Sequence, residues 1–410
     1  MNFKVKQSIL AVGVFTIALF SCSSDDDKGT TPPVVTVSKE AVITNYGNLV
    51  YQSYNDSYTS AVNLRTILND FVSNPTQAGF DASKSAWLAA REIYGQTEAY
   101  RGANGPIDTP NESWSIDNEG NMNAWPMDEA LIDYVAAGSE GLGAGEFDFN
   151  IISDISTPIN EETITSYSNF ENSEASVTTG WHAIEFLLWG QDFTFPADNL
   201  AGQREFTDYT TAAFADRRGE YLNVVANLLV NDLLDLVNTW NVGGTYRTVF
   251  DNLDEDVAIT QFIFGAFFIA GDELSGERMY VAVDSDGGIG GLGQEDEHSC
   301  FSDNTNRDVF ANAKGVYNVI FGEYGSVNGD SFYDLVVEAD AVQAQKLLDA
   351  SNEAMQKATV VGNNAQPFDF LITQESVEFS QVGPVIEAAQ ALENWANEIS
   401  ASASAIGINL

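Results

Sequence analysis

The sequence is poor in the residues that most often perform chemistry or lock a fold. Its 410 residues hold two cysteines, Cys22 and Cys300, and two histidines, His182 and His298. Two cysteines cannot make the disulfide framework of a small secreted scaffold, so stability must come from a buried core. Two histidines so far apart cannot form H-E-x-x-H, which excludes a zincin-type protease site. Basic residues are scarce as well, with Lys+Arg 17 against Asp+Glu 60 and a net charge of −43. Such a charge repels nucleic acid and anionic lipid headgroups, so no nucleic-acid partner is expected. Long alternating β-branched runs are missing, which argues against a sheet protein. The two most apolar runs, 9–20 and 260–270, are too short to span a membrane.

What is present reads as globular and helical. Hydrophobic residues make up 44%, with Trp 7, Tyr 15 and Phe 25, enough for a large core and two domains. The first 21 residues read as an export leader: Lys4 and Lys6, the apolar run, then Leu19-Phe20-Ser21-Cys22. Ser21 before Cys22 resembles a bacterial lipobox, which would make Cys22 the lipidated first residue of the mature protein. Residues 22–38, opening Ser23-Ser24-Asp25-Asp26-Asp27 and then Thr30-Thr31-Pro32-Pro33, read as a solvated tether. Removing 1–21 takes away two lysines and no acid, so −43 becomes −45. With Cys22 lipidated, Cys300 has no internal disulfide partner.

Helical spacing recurs along the rest. Val42, Tyr46, Leu49, Val50, Ala61, Leu64, Leu68 and Phe71 mark one helix, stopped at Asn74-Pro75. Further helices are expected at about 81–101, from 127, at 160–172, 208–240, 260–270, 304–321, 331–360 and 376–400. The fold class is therefore all-α, as two helical bundles: 39–200 and 201–410.

Within 180–190, Thr178 or Thr179 would cap a helix start and Gly190 would end it. Seven of the nine residues from Trp181 to Trp189 are apolar, so this helix should be buried. The exceptions are His182 and Glu185, three apart and on one face. Burying an ionisable pair costs several kcal/mol unless partners or a metal compensate. The pair is either a polar lock or a site. The second histidine lies in Glu295-Asp296-Glu297-His298-Ser299-Cys300-Phe301-Ser302-Asp303, which carries a metal-suited mix of imidazole and carboxylates or an acidic helix start. Asp284-x-Asp286-Gly287 imitates the opening of an EF-hand, but Ile289 stands where its glycine is required. Gly287 to Gly293 has neither the strand context nor the lysine of a phosphate loop.

Gly180-x-His182-x-x-Glu185, followed by Phe186-Leu187-Leu188-Trp189-Gly190, resembles the signature of the imelysin-like family, also filed as peptidase family M75. Three further blocks resemble that family in the same order: 94–101 (YGQTEAYR), 123–126 (NAWP) and 297–305 (EHSCFSDNT). Asn306 departs from it, standing where many relatives carry a histidine. The resemblance implies two pseudo-symmetric helical bundles and an envelope lipoprotein linked to iron uptake. It places Gly180, His182 and Glu185 in a site at the domain junction.

The expectation is thus a protein of the cell envelope, anchored through Cys22 to the outer membrane, on its periplasmic or its outer face. It would bind iron or an iron chelate, with zinc or copper as alternatives, and hand it to an outer-membrane uptake partner. The expected metal set is His182, Glu185, His298 and Glu297, with Gly180, Glu98, Arg101 and Asp303 lining the site. That His298 faces the same cleft as His182 is a hypothesis from the two-motif layout; a separation beyond ~15 Å would rule out a shared site, given ligand distances of ~2 Å. Glu98 and Arg101 could equally be a structural ion pair. The alternatives are an M75-type metallopeptidase, for which no third ligand is evident, and an interaction module with a structural His–Glu pair.

Overall fold

Several of the helices begin where a side chain takes over an orphaned amide group. A computed structural model describes residues 36–108, 119–135, 150–170, 173–284 and 296–410, and 37–410 form one compact unit. The leader, Cys22 and the tether up to 35 lie outside the described residues. Helix α1 (Lys39–Ser73) starts at Ser38, whose hydroxyl accepts from Ala41 N at 3.1 Å. Helix α2 (Gln77–Tyr94) starts at Thr76 in the same way. It then tightens into a 3₁₀ turn over Gly95–Tyr100. Short helices α3 (Glu119–Met122), α4 (Glu129–Ile132) and α5 (Glu161–Ser166) precede the apolar α6 (Gly180–Trp189).

After α6 come α7 (Ala215–Trp240), α8 (Thr245–Phe250) and α9 (Glu255–Phe268). The chain winds on from α9 without a break, through wider i→i+5 turns over Ile269–Tyr280, into α10 (Val281–Asp284). Then follow α11 (Thr305–Phe321), α12 (Phe332–Ala339), α13 (Ala341–Gly362), α14 (Phe368–Ile372) and α15 (Pro384–Ala405). The strands among the described residues are a two-residue antiparallel pair, β1 (Glu323–Tyr324) and β2 (Val327–Asn328). The fold is all-α.

Helices α1, α2, α6 and α7 pack on one another, and α9 to α13 with α15 form a second group. Helix α7 follows residue 201 in sequence, yet it lies against α1 and α6. The groups meet where α11 crosses α2 and the 95–100 turn. Gly315 permits that crossing, since a Cβ there would stand 2.3 Å from the carbonyl oxygen of Gln96. The core is aromatic: Trp87, Trp181 and Trp395 are each 0% exposed. Burying such a side chain contributes about 1.5–3 kcal/mol.

One expected helix is cut short, one is split, and one is part of a longer helix. The helix from 127 ends at Ile132 because Asp133 turns out of it to meet Arg204 and Arg218. The 331–360 run breaks at Asp340, whose carboxylate accepts from the amides of Val342 and Gln343 and so caps α13. The 260–270 run belongs to a longer helix, Glu255–Val283, which is long and apolar enough to cross a membrane; half of its most apolar window is buried within the protein.

Candidate functional site

Helix α6 is placed by its neighbours before it is capped. Gly180 has φ +83°, and a Cβ would meet the Met122 carbonyl oxygen at 2.3 Å, so glycine is required there. Thr179 is the N-cap by backbone, but its hydroxyl donates to Asn121 O at 2.8 Å and does not cap the helix. Gly190 ends the helix at φ +71°. The Trp87 indole donates to the carbonyl of Trp181 at 3.0 Å and fixes the first turn against α2.

His182 and Glu185 are wholly enclosed, and His182 Nδ1 lies 2.9 Å from Glu185 Oε2. The other carboxylate oxygen accepts from Ser302, through its amide at 3.0 Å and its hydroxyl at 2.6 Å. Burial pushes the Glu185 carboxyl up to about 8, although the Ser302 bonds pull it down. Burial, with Arg91 and His298 adding to it, keeps the His182 imidazole well below its ordinary value. The pair therefore carries no imidazolium near neutrality. Buried His182 Nε2 has no hydrogen-bond partner.

The second histidine is directly opposite. The His182 and His298 rings meet edge-on with centroids 5.2 Å apart, and Trp125 lies over His182 at 5.0 Å. Asn123 stands between Arg91, Glu98 and His298. Its carbonyl oxygen accepts from Arg91 Nη1 and its amide donates to Glu98 Oε1 at 3.2 Å, so that amide also faces His298 Nε2, at 3.5 Å. The ionised Asp308 Oδ2, 3.1 Å from Nδ1, favours the tautomer with the proton on Nδ1 and the lone pair on Nε2, although Arg91 Nη2, a donor, also stands 3.1 Å from Nδ1. Burial, with Arg278 and Arg91 adding to it, brings His298 down to about 4, so it is neutral. Asp308 is held far below the carboxylate range: burial opposes this, but Arg91 grips both oxygens at 3.2 Å and Ser299 Oγ donates at 2.6 Å.

Glu98 lies beneath the same region, at the end of the 95–100 turn. It accepts from Arg278 Nη2 at 2.8 Å and from Arg101 Nη1 at 3.2 Å. Burial would raise it, but Arg278, Arg101 and His298 hold it at about 2. Arg101 also reaches Glu273 at 3.1 Å. Glu98 and Arg101 are thus an ion pair, and Arg101 in addition lines a cavity of about 380 Å³ beside Trp125, Arg278 and His298. That volume suits a small molecule or a hydrated ion.

The comparisons with known proteins bear on this arrangement. The family model described as Imelysin, Peptidase M75, matches residues 50–396. The chain belongs to the imelysin family. No curated protein matches it. A solved structure from Parabacteroides distasonis, provisionally named an iron-regulated protein A precursor, superposes with TM-score 0.64 at 16% identity. The match covers 91% of this chain and 97% of that one, and at such identity it shows the shared fold.

This imelysin does not gather all the expected ligands at one point. His182, Glu185 and His298 lie together, but both oxygens of Glu185 are already engaged within the protein. Glu297, next to His298 in sequence, stands among other groups: after burial, the charges acting on it most are Asp369 and Asp303. Among the described residues, one set of three or more ligating side chains converges within 4.8 Å: Asp192, Asp303 and Asp369. Cys22 lies outside the described residues, and Cys300 is a buried thiol.

Several residues of the site were not singled out from sequence. Ser302 and Asn123 fell inside the motif blocks without a role. Arg91 did leave a signal, since it occupies the inward stripe of α2 with Trp87, Ala90 and Tyr94. A charge on a core stripe needs a buried partner. Arg278 and Asp308 left none, because their partners come from distant segments.

Proposed function

We propose that this imelysin is an envelope lipoprotein, lipidated at Cys22, that captures iron at the His182–His298 pair where the two helical groups meet. Iron is its cargo, and an outer-membrane uptake partner would receive it. The observation that carries this reading is the buried, unpartnered His182 Nε2 beside a second neutral imidazole whose own Nε2 is an acceptor. Neutral imidazole is the ligating form, and a carboxylate behind a ligating histidine sets its tautomer and basicity. Asp308 is the carboxylate behind His298, and Glu185 takes that role toward His182 once metal binding displaces its proton. The iron-regulated name of the similar Parabacteroides distasonis protein supports iron as the metal. The net charge of −43 favours the approach of cations.

A hydrolytic role would need a third protein ligand. Among the described residues none converges with the two imidazoles within 4.8 Å. Titration calorimetry on the chain beginning after Cys22 tests the proposal, with ferrous, ferric, cupric and zinc ions run in parallel. The expected result is micromolar or tighter binding, about −8 kcal/mol, lost in a folded His182→Ala/Glu185→Ala variant. Equal binding by that variant, or none by the folded parent chain, would overturn it.

A further inference from the structure

Asp192, Asp303 and Asp369 come from three separate segments: the stretch after α6, the loop carrying His298, and the first turn of α14. One carboxylate oxygen from each lies within 4.8 Å of the other two. Two ligands at 2.4 Å from a common centre can be no more than about 4.8 Å apart, and calcium takes oxygen ligands at about 2.3–2.6 Å. The three oxygens therefore fit one coordination sphere.

Acidic groups alone are common on such a chain; the deciding feature is a fourth. Glu297 is 1% exposed, and neither of its carboxylate oxygens has a hydrogen-bond partner. The hydroxyl of Thr305 is near but does not reach bonding geometry. The charges acting on it are those of Asp369, Asp303 and Asp192, so it stands beside the triad. Asp303 Oδ1 is likewise buried and unpartnered. The charges acting on Asp303 are those of Asp369 and Asp192, with no basic side chain among them. A buried, uncompensated carboxylate is expensive unless a cation compensates it.

We propose that Asp192, Asp303 and Asp369 form a second metal site, distinct from the histidine pair, that takes a hard divalent cation of calcium size, with the buried Glu297 carboxylate beside it outside the direct ligand set. Carboxylate oxygens without nitrogen or sulfur select such ions. The site ties the segment after α6 to α14 through Asp303, at the far end of the loop that begins at Glu297. Between Glu297 and Asp303 that loop carries His298 and Ser302, so the cation would brace the segment that serves the histidine pair.

Thermal unfolding of the metal-stripped chain, with calcium chloride or magnesium chloride added, tests this. Calcium at about a hundred times its dissociation constant should raise Tm by about 3 °C. Asp303→Asn/Asp369→Asn should abolish that shift, while unfolding in chelator no earlier than the parent chain because carboxylate repulsion is relieved. His182→Ala should keep the calcium shift, which separates this site from the iron proposal. Three outcomes would overturn the assignment. One is a parent chain that does not respond to calcium. Another is an equal response in the double variant, which is general charge screening. The third is a response through these residues to ferric ion but not to calcium.

Discussion

Glu98→Gln replaces a buried carboxylate by a neutral isostere and leaves Arg278 and Arg101 facing an amide. The magnitude follows from the structure in two ways. An ordinary glutamate titrates near 4.5, whereas Glu98 is held at about 2. At about 1.4 kcal/mol per pH unit, that interval is worth about 3 kcal/mol. Removing one partner of a buried ion pair costs about 3–5 kcal/mol, moderated here because Glu273 also reaches Arg101 and Arg278. The folded-state value is depressed, so the contribution is fully present above pH 4.5 and is lost as pH falls through 2. Urea unfolding at pH 7 should show the variant less stable by about 3 kcal/mol. At pH 2.5 much of that difference should have gone. A difference below about 1 kcal/mol at pH 7, or one unchanged between the two pH values, would refute the reasoning.

Two further substitutions probe α6. Gly180→Ala should destabilise by at least about 2 kcal/mol, from positive φ and the clash with Met122 O; urea midpoints check this, and a neutral effect would contradict the placement of the helix start. Glu185→Gln keeps an acceptor for Ser302 but presents an amide N–H to His182 Nδ1 that, unlike the Glu185 proton, cannot leave on metal binding, so the imidazole proton stays on Nε2. Metal affinity by calorimetry should fall about 10–100-fold with the fold intact, and undiminished affinity would show that Glu185 does not set the tautomer.

The sequence was most informative where a pattern stayed local. The apolar stripe from Val42 to Phe71 marks α1 nearly to its ends, and the run from Trp181 to Trp189 marks the buried α6 with Gly190 at its close. Helix ends that answer to distant partners were not visible: Asp133 leaves its helix for Arg204 and Arg218, which lie far along the chain. At the site, His182 and Glu185 stood out because nothing else on that helix is polar. The pairing of Arg91 with Asp308, and of Glu98 with Arg278, spans 217 and 180 residues, and no local spacing encodes it. The same holds for Glu297. Adjacency to His298 suggested a shared ligand set, whereas its carboxylate lies among aspartates from two other segments.

The central claim is that His182 Nε2 is a metal ligand. Anomalous diffraction from crystals of the chain grown with ferrous or cupric ion tests it most directly. The account predicts an anomalous peak about 2.0–2.2 Å from His182 Nε2, within reach of His298. Peaks confined to the aspartate cluster, or none near the imidazoles in a fully loaded crystal, would contradict it.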